Sequence, residues 1–385
     1  MAHGLTYGSV LSYWEHKILF PPDGVWILGA GITGLSTALG LKALKPELPV
    51  TVVDSGVAVG GATRRNAGFA CIGSLSELLD DLQTASESEV FSLSAERFRG
   101  LQNLRHALGD AAIGYIPTGN YEIFFPEEKE VFEACKDRMD DINAAFKDLG
   151  LGDGAYCVAP APPGLPSQAY YIFNHLEGVL DSAMLYQALL NLCHRENIRV
   201  WWGLDVEKYQ EEEGAVRIWL HPRGEGKVRL LALCTNAFTQ RLIPGLDVHP
   251  ARGVVMVSQP LGKTENLSPA GFHHQGGYNY FRFVDGRFLI GGGRHLDLVR
   301  ERTLSQELPE DICLYLTHLA SRITGLQNLG FEFQWTGFMG KGRTKRPIVQ
   351  ALGARTFCAV RLGGMGVAIG YDTGCRLARL MAEAL

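Results

Sequence analysis

The stretch VWILGAGITGLSTALGL, residues 25–41, decides the fold of this chain. A short apolar run leads into GAGITG, and small and apolar residues at helical spacing follow it. A second apolar run, VTVV at 50–53, ends at Asp54. Short apolar runs of this kind are typical of buried strands, and the segment between them has the period of a helix. The pattern therefore predicts a strand–helix–strand unit with a glycine-rich first turn.

The GAGITG turn has the spacing of a dinucleotide-binding site. Gly29 permits the tight turn, Gly31 lets the backbone approach a pyrophosphate, and Gly34 lets the helix pack closely on the strand. The free N–H groups at the start of the helix attract phosphate. Asp54 follows Gly34 by 20 residues and can accept hydrogen bonds from a ribose diol. We predict a dinucleotide site here, and the motif leaves FAD and NAD equally open.

Length and composition set broader limits. The chain has 385 residues, too many for one ordinary core, which suggests two domains. Its formal net charge of −5 gives no sign of a nucleic-acid-binding surface. The eight cysteines contain no Cys-x-x-Cys pair, so we predict no metal site and expect buried, reduced thiols. Without a signal-peptide pattern or a long apolar run, we expect a cytoplasmic location and no transmembrane segment.

Strand–helix patterns open and close the chain, and mixed strands and helices lie between them. Asp285-Gly286 predicts a hairpin, and a turn is expected around Gly224 and Gly226. The whole pattern predicts an α/β fold. Helices are predicted at 89–108, 127–149, 181–197, 305–324 and 367–385, and strands at 121–125, 198–202, 215–220, 228–235, 252–260, 278–284, 287–292, 331–338 and 357–360.

The loop GGATRRNAGFA, residues 60–70, begins six residues after Asp54 and has no helical or strand period. In a doubly wound sheet this position lies near the carboxyl ends of the strands, where ligands bind. Small residues allow the backbone to contact a flat ligand. Arg64, Arg65 and Asn66 can donate to phosphate or to ring heteroatoms. Composition alone leaves a basic surface loop as the alternative.

These motifs resemble those of the D-amino-acid oxidase superfamily of FAD proteins. The similarity is to the amine and amino-acid oxidases that include glycine oxidase, sarcosine oxidase and gamma-glutamylputrescine oxidase. It extends beyond the first turn and the GATRRNAGF loop. Further resembling segments are EGVLDSAMLYQALL at 177–190, LLALCTNAFTQRLIPGL at 230–246, HPARGVVMVSQP at 249–260, YNYFRFVDGRFLIGGG at 278–293, WTGFMGKGRTKRPIV at 335–349 and LGGMGVAIGYDTGCRLARL at 362–380.

The resemblance implies a discontinuous Rossmann-like FAD-binding domain, residues 1–85, 175–245 and 331–385. A smaller mixed α/β substrate domain would comprise 86–174 and 246–330. The glycine turn before the last helix would face the flavin pyrimidine edge with its N–H groups. The cofactor-binding residues implied are Gly29, Gly31, Ile32, Thr33, Gly34, Asp54, Ser55, Thr63, Arg64, Arg65, Asn66, Ala67, Gly68, Val206, Thr235, Asn236, Ala237, Gly363, Gly364, Met365, Gly366 and Val367.

The reaction implied is hydride transfer from the C–H next to an amine nitrogen to flavin N5, after which the imine hydrolyses. The substrate would be a small amine or amino acid, and O2 or another electron acceptor would reoxidise the flavin. Residues on and beyond the hairpin could contact the substrate, although hairpin aromatics commonly serve cross-strand packing. The candidates are Tyr280, Arg282, Arg294 and His295, with Tyr278 beside them.

Three departures from the family pattern concern the substrate and the cofactor link. Met339 occupies the place of an arginine that grips the substrate carboxylate, although Arg343 or Arg346 could compensate. Thr344 replaces an aspartate. Residues 335–347 contain no cysteine, where sarcosine-oxidase-like members bond FAD covalently, so we expect non-covalent FAD.

Oxygen reactivity is a further open point. The hairpin strand FLIGGG lacks the lysine that activates oxygen in sarcosine oxidase, which favours a quinone or another acceptor. Lys341 and Lys345 keep oxygen as an alternative. Two other functions also stay open: an NAD-linked dehydrogenase, and a non-catalytic flavin-binding subunit whose partner performs the chemistry.

Overall fold

The computed structural model describes residues 11–56, 61–221, 224–262 and 267–385. The helices are α1 (Tyr13–Leu19), α2 (Ile32–Leu44), α3 (Ala62–Arg65), α4 (Leu75–Leu82), α5 (Glu87–Leu108), α6 (Lys129–Asp148), α7 (Ser182–Arg195), α8 (Glu310–Thr324) and α9 (Gly366–Ala382). The strands are β1 (Val25–Leu28), β2 (Val50–Asp54), β3 (Phe69–Ala70), β4 (Asn120–Phe124), β5 (Tyr156–Ala159), β6 (Tyr170–Asn174), β7 (Gly178–Val179), β8 (Arg199–Trp202), β9 (Asp205–Glu212), β10 (Ala215–His221), β11 (Gly224–Val228), β12 (Leu230–Leu233), β13 (His249–Ser258), β14 (Gly271–His274), β15 (Asn279–Val284), β16 (Arg287–Gly292), β17 (Phe331–Lys341), β18 (Ile348–Ala351) and β19 (Thr356–Val360).

The first unit is built around a six-stranded sheet in the order β18-β19-β12-β1-β2-β8. Its strands run parallel except for the edge strand β18. Val25 and Ile27 on β1 pack towards α2 and α9, whereas Trp26 and Leu28 pack towards the three-stranded sheet of β9, β10 and β11. Burial on both faces is why these strands are continuous apolar runs rather than alternating ones. The predicted Rossmann-like fold is confirmed.

The first glycine turn brings α2 against β1. Gly29 has a φ of 102°, which is open to glycine but strained for other residues. A Cβ on Gly34 would lie 1.9 Å from the carbonyl oxygen of Gly29, well inside van der Waals contact. Any side chain at 34 would therefore push the helix away from the strand. This agrees with the close packing that the sequence predicts for this glycine.

The second unit is an eight-stranded mixed sheet in the order β17-β13-β16-β15-β14-β4-β6-β5. Helix α8 packs on β13, β14, β15 and β16, and α6 packs with α4 and α5 near β4. The hairpin β15–β16 turns at Asp285, φ 48°, and Gly286, φ 69°. Positive φ at both residues is what a two-residue type I′ turn requires, and the predicted hairpin is confirmed.

The packing of two elements bears on the predicted domain boundaries. Strand β17 pairs with β13 in the eight-stranded sheet, so the predicted segment 331–385 of the FAD domain begins inside the other sheet. Helix α5, predicted in the substrate domain, packs on α9 of the first unit. Pairing and packing partners are non-local, and a strand or helix pattern does not specify them. The division into two domains remains a prediction.

Two further predictions, a turn and the start of a helix, differ from the structure. The predicted turn around Gly224 and Gly226 is wrong, because both glycines lie in β11. A Cβ on Gly226 would meet the ring of Phe20 at 2.4 Å, so the glycine serves close packing rather than a turn. Helix α8 begins at Glu310, not at 305, because Pro309 disfavours a helical residue before it.

Three observations concern the cysteines, the helix lengths and the metal-ligating side chains of the described residues. All eight cysteines are free, five buried and three partly buried. No described helix has the length and apolar character needed to cross a membrane. Within the same residues no cluster of metal-ligating side chains occurs.

Candidate functional site

A cavity of about 1450 Å³ opens where the carboxyl ends of β1 and β2 meet the second unit. We call the side formed by the glycine turns and the 61–67 loop the cofactor wall. All the predicted cofactor residues line the cavity except Gly34, Arg64 and Gly68. The lining members of the cofactor wall are Gly29, Gly31, Ile32, Thr33, Asp54, Ser55, Thr63, Arg65, Asn66, Ala67, Val206, Thr235, Asn236, Ala237, Gly363, Gly364, Met365, Gly366 and Val367.

Asp54 holds the chain around the first turn. One carboxylate oxygen accepts a hydrogen bond from the N–H of Ala30 at 2.9 Å, and the other accepts from Gly56 at 2.8 Å. Each oxygen keeps a second lone pair, so the carboxylate can also accept from a ribose hydroxyl. The sequence predicted only the ligand contact, and the structure adds this bracing of the turn.

The 61–67 loop contains a helical turn, α3, which the sequence did not predict. Thr63 Oγ1 accepts from the N–H of Ile32 at 2.9 Å and so fastens the loop to the start of α2. Asn66 Oδ1 accepts from Gly68 N–H at 2.9 Å and from Ser182 Oγ at 2.7 Å. These contacts are internal, so Asn66 shapes the loop.

The two arginines of this loop have different surroundings. The Arg65 guanidinium donates to the carbonyl of Thr336 at 2.7 Å, and Trp335 Nε1 donates to the carbonyl of Arg65 at 3.0 Å. Arg64 lies outside the cavity lining, with its guanidinium 4.2 Å from the ring centroid of Tyr186. Arg64 therefore makes a cation–π contact with Tyr186. Its contact with the cofactor stays a prediction.

A second helix start closes the cofactor wall. Helix α9 begins at Gly366, and the turn before it faces the cavity. Asn236 Oδ1 accepts from the N–H groups of Arg361 at 3.1 Å and Leu362 at 3.3 Å, which joins the 235–237 turn to this segment. The N-termini of α2 and α9 therefore both open onto one cavity, each with a positive dipole end.

The cofactor wall fits FAD. Thr33 Oγ1, in the first turn of α2, is buried and has no hydrogen-bond partner among the residues the structure describes. A Cβ on Gly31 would lie 3.2 Å from Thr63 Oγ1, so the glycine leaves a narrow space open at the helix start. An unpartnered hydroxyl and a bare backbone at a helix N-terminus suit a pyrophosphate. When bound, FAD would be held by this wall and would supply a two-electron acceptor.

The opposite side of the cavity carries long polar and aromatic side chains, and we call it the substrate wall. Its members used below are His273, Tyr278, Tyr280, Arg294, Met339 and Lys341.

Tyr280 and Arg294 are predicted substrate contacts that line the cavity. Tyr280 packs edge-on against Phe69, with ring centroids 5.6 Å apart, and burial raises the pKa of its hydroxyl to about 12. The guanidinium of Arg294 lies 5.1 Å from the ring centroid of Tyr278. Burial lowers the pKa of Arg294 from its usual value, and the guanidinium remains a cation.

The other two predicted contacts lie outside the cavity lining. Arg282 Nη1 donates to the carbonyls of Gly68 at 3.0 Å and Leu180 at 2.9 Å. These hydrogen bonds therefore stabilise the end of the 61–67 loop. The ring of His295 lies between Tyr278 and Tyr315. Contact of Arg282 and His295 with substrate remains untested.

Lys341 is a cation on the substrate wall that the sequence considered only for oxygen reactivity. It ends β17, two residues after Met339, so strand alternation places both side chains on one face. Its Nζ forms no hydrogen bond or ion pair with the described residues. Burial, with Arg294 nearby, lowers the pKa of Lys341 to about 8.

The neighbouring cations are already paired. Lys345 contacts Glu77, and also Asp81 at 2.8 Å, and Arg346 contacts Glu96. Arg343 is 88% exposed in its side chain. The sequence offered Arg343 and Arg346 as replacements for the missing arginine. Neither of them is a free, buried cation. The sequence signal that could have identified Lys341 was its position two residues after Met339, since side chains two apart in a strand lie on one face.

Comparisons with known proteins bear on this site. Residues 25–383 match the protein family described as FAD dependent oxidoreductase, abbreviated DAO. The bifunctional protein ThiO/ThiG of Synechocystis sp. is 24% identical over 317 residues, which are 82% of this chain and 44% of the relative. The chain thus spans less than half the length of that curated relative.

Solved structures share the fold. L-proline dehydrogenase from P. horikoshii superposes with a TM-score of 0.72 and 15% identity, covering 94% of this chain and 93% of that one. Glycine oxidase from Geobacillus kaustophilus gives 0.72 and 16%, covering 93% and 94%. At such identities the likeness concerns the fold alone.

Proposed function

Because the chain belongs to the FAD-dependent oxidoreductase family DAO, we propose that it oxidises the C–N bond of a small amino acid whose carboxylate is bound by Lys341 and Arg294. FAD is the cofactor of the family, so the NAD-linked alternative is set aside, and the chain is an FAD-dependent oxidase or dehydrogenase. The amino-acid substrate and its contacts are our proposal.

The observation that carries this proposal is the half-buried ammonium of Lys341, which lines the cavity without a hydrogen-bond or ion-pair partner among the described residues. A buried charge is costly unless it is paired. The nearest carboxylate cluster, Glu77 and Asp81, is engaged by Lys345. An anionic group of the substrate would satisfy Lys341, and the planar guanidinium of Arg294 suits a carboxylate geometrically. Together they would replace the arginine whose place Met339 occupies.

The remaining members of the substrate wall have supporting roles in the proposal. Met339 and the ring of Tyr280 present apolar surface, which excludes water from the carbon that loses hydride. The Tyr280 hydroxyl stays protonated and can donate to the substrate. The cofactor wall would hold FAD, which would supply the hydride acceptor, and the imine product would hydrolyse after release.

The cysteines near the cavity favour non-covalent FAD. Cys71 and Cys234 line it, but burial raises the pKa of both thiols, to about 12 for Cys234, and for Cys71 the carboxylate of Glu177 adds to the effect. A neutral thiol is a poor nucleophile. Neither residue is therefore suited to form a bond with the flavin.

The test begins with the visible absorption spectrum of the purified protein, before and after acid precipitation. We expect flavin bands that move to the supernatant. Bands that remain in the pellet would contradict the non-covalent link.

The second stage is anaerobic bleaching of the flavin by a panel of the common α-amino acids and their N-methyl derivatives. Each is paired with the amine that lacks the carboxylate, such as glycine with methylamine and L-proline with pyrrolidine. We expect bleaching by an amino acid and at least about tenfold less efficient bleaching by its paired amine. Equal efficiency, or no bleaching by the panel, would contradict the proposal. Readmitting air then shows whether O2 or another acceptor reoxidises the flavin.

A further inference from the structure

His273 forms part of the substrate wall directly beside Tyr280. It lies on β14, where it pairs in register with Tyr280 of β15, and its ring centroid is 5.2 Å from that of Phe69. The next residue, His274, points to the other side of the strand and contacts Glu128 at 3.1 Å. Strand alternation thus places one histidine at the cavity and its neighbour in the protein interior.

Glu177 lies behind His273, and its carboxylate is held by three donors. Oε1 accepts from the N–H groups of Ile72 at 2.7 Å and Gly73 at 3.0 Å, and Oε2 accepts from Asn120 Nδ2 at 2.9 Å. His273 Nε2 is 3.4 Å from Oε2, at ion-pair distance but without the alignment of a hydrogen bond. A carboxylate with 1% exposure is therefore fixed beside an imidazole that lines the cavity.

We propose that His273 is the base that removes the proton from the substrate ammonium, and that Glu177 is a positioning residue that orients the ring. In this step an N–H bond of the ammonium breaks, and its electron pair remains on nitrogen as the lone pair needed for oxidation. The proton passes to Nδ1 of His273, which has no hydrogen-bond partner within the described ranges. The Glu177 carboxylate then stabilises the imidazolium. This inference rests on the proposed amino-acid oxidation.

The charges around the ring agree with this role. Burial, the largest single cause, would lower the pKa of His273, but the surrounding carboxylates, Glu177 foremost, together raise it above its usual value. Glu122 on β4 and Glu77 on α4 act in the same direction. The titratable and charged groups that act on the ring or share a cavity with it include Cys71, Glu77, Arg97, Tyr121, Glu122, Tyr156, Glu177 and Tyr280.

The sign of the pH effect follows from the need for a neutral base. Proton removal requires unprotonated His273, so the rate of flavin reduction rises with pH through the pKa of His273. Loss of the Glu177 charge would lower that pKa and move the rise to lower pH. Loss of the imidazole would remove the rise and leave the rate dependent on deprotonation of the free amine in solution at higher pH.

The first experiment measures anaerobic flavin reduction by stopped flow, across about pH 5 to 10, with the amino acid that bleaches the wild-type holoenzyme fastest. His273→Gln should lower the rate near neutral pH by about 100-fold, the size of a typical general-base contribution, with recovery at high pH. The matched control is His274→Gln, which should keep the wild-type pH profile. A wild-type profile and rate in His273→Gln would overturn the inference.

The second experiment follows the histidine signals of the holoenzyme, labelled with [13C]histidine, by NMR during a pH titration. Comparison with His273→Gln identifies the His273 signal, and we expect its pKa to fall in Glu177→Gln. An unchanged pKa would contradict the role of Glu177.

If Glu177→Gln does not retain FAD, the kinetics of His273→Gln alone decide whether His273 is the base. If no amino acid bleaches the wild-type flavin, the proposed function fails and this inference with it; bleaching without a His273 effect removes the inference alone.

Discussion

The cofactor wall of the cavity consists mainly of backbone and small residues, whereas the substrate wall consists of long side chains. The cofactor wall comes from turns whose conformation is set within a few residues, as at Gly29 and Gly31. The substrate wall is assembled from β14, β15, the segment after β16 and β17, and the positions of its side chains depend on how these strands pair. A dinucleotide pyrophosphate can be bound by N–H groups, but selection among small amines needs placed charges. The contrast predicts that mutations on the two walls have separable effects on FAD binding and turnover.

The largest effect is expected at the first turn. Gly31 has an extended backbone, with φ −83° and ψ −179°, so Gly31→Val is compatible with the fold. Its Cβ would lie 3.2 Å from Thr63 Oγ1, and its methyl groups would enter the space for the pyrophosphate. We expect FAD affinity to fall by about 100-fold or more. Flavin content after gel filtration measures it, with Gly262→Val as the control in open space. A flavin-replete Gly31→Val protein would remove this turn from the cofactor wall.

Lys341→Met tests the opposite wall. The variant removes the charge and keeps much of the side-chain volume. A hydrogen bond to a charged group contributes about 1.5–3 kcal/mol, so KM for the amino acid should rise by about 10- to 100-fold. FAD content should stay at the wild-type level, as it should in Lys136→Met on the exposed face of α6. Loss of FAD, rather than of substrate affinity, would show that mutations on the two walls do not have separable effects.

The pH dependence of substrate binding sharpens the same assignment. Burial lowers the pKa of Lys341 to about 8. Carboxylate binding needs the charged amine, which is present below this pKa and is lost as the pH rises through it. KM should therefore increase above about pH 8. Lys341→Arg, which stays charged, should abolish this increase. A KM that rises equally in both proteins would assign the titration to another group.

The smallest effect is expected from Tyr280→Phe. Only the hydroxyl is lost, and the packing against Phe69 is kept. One neutral hydrogen bond contributes about 0.5–1.5 kcal/mol, so the rate of flavin reduction should fall by about three- to tenfold with FAD still bound. Tyr170→Phe, whose ring stacks on Phe132 outside the cavity lining, is the control. Unchanged kinetics in Tyr280→Phe would leave the residue with a packing role only.

The same contrast explains how much the sequence could predict. The first strand–helix–strand unit and the Asp285-Gly286 hairpin are readable because a few adjacent residues determine each of them. The position of β17 in the second sheet is not, because strand order depends on partners far along the chain. Arg282 illustrates the limit: its sequence context resembles a substrate contact, while its guanidinium is bonded to the Gly68 and Leu180 carbonyls.

His273 had no local signal at all. In the sequence it is one of two adjacent histidines in GFHHQ, and nothing there separates the one that faces the cavity from the one that does not. Its partner Glu177 lies almost 100 residues earlier and is buried by contacts with Ile72, Gly73 and Asn120. Such a pair becomes visible only when the strands are assembled.

The hydrogen bonds between Arg65 and β17 have a consequence for the order of folding and cofactor binding during synthesis. The loop predicted to contact the cofactor is hydrogen-bonded to Thr336 and Trp335, some 270 positions later in the chain. A nascent polypeptide emerging from the ribosome presents the glycine fingerprint early, but these ties form only after residue 336 has been translated. We therefore expect stable flavin loading to follow the synthesis of β17. We expect a chain that ends before residue 335 to contain the glycine turn of residues 29–34 but to lose FAD during purification.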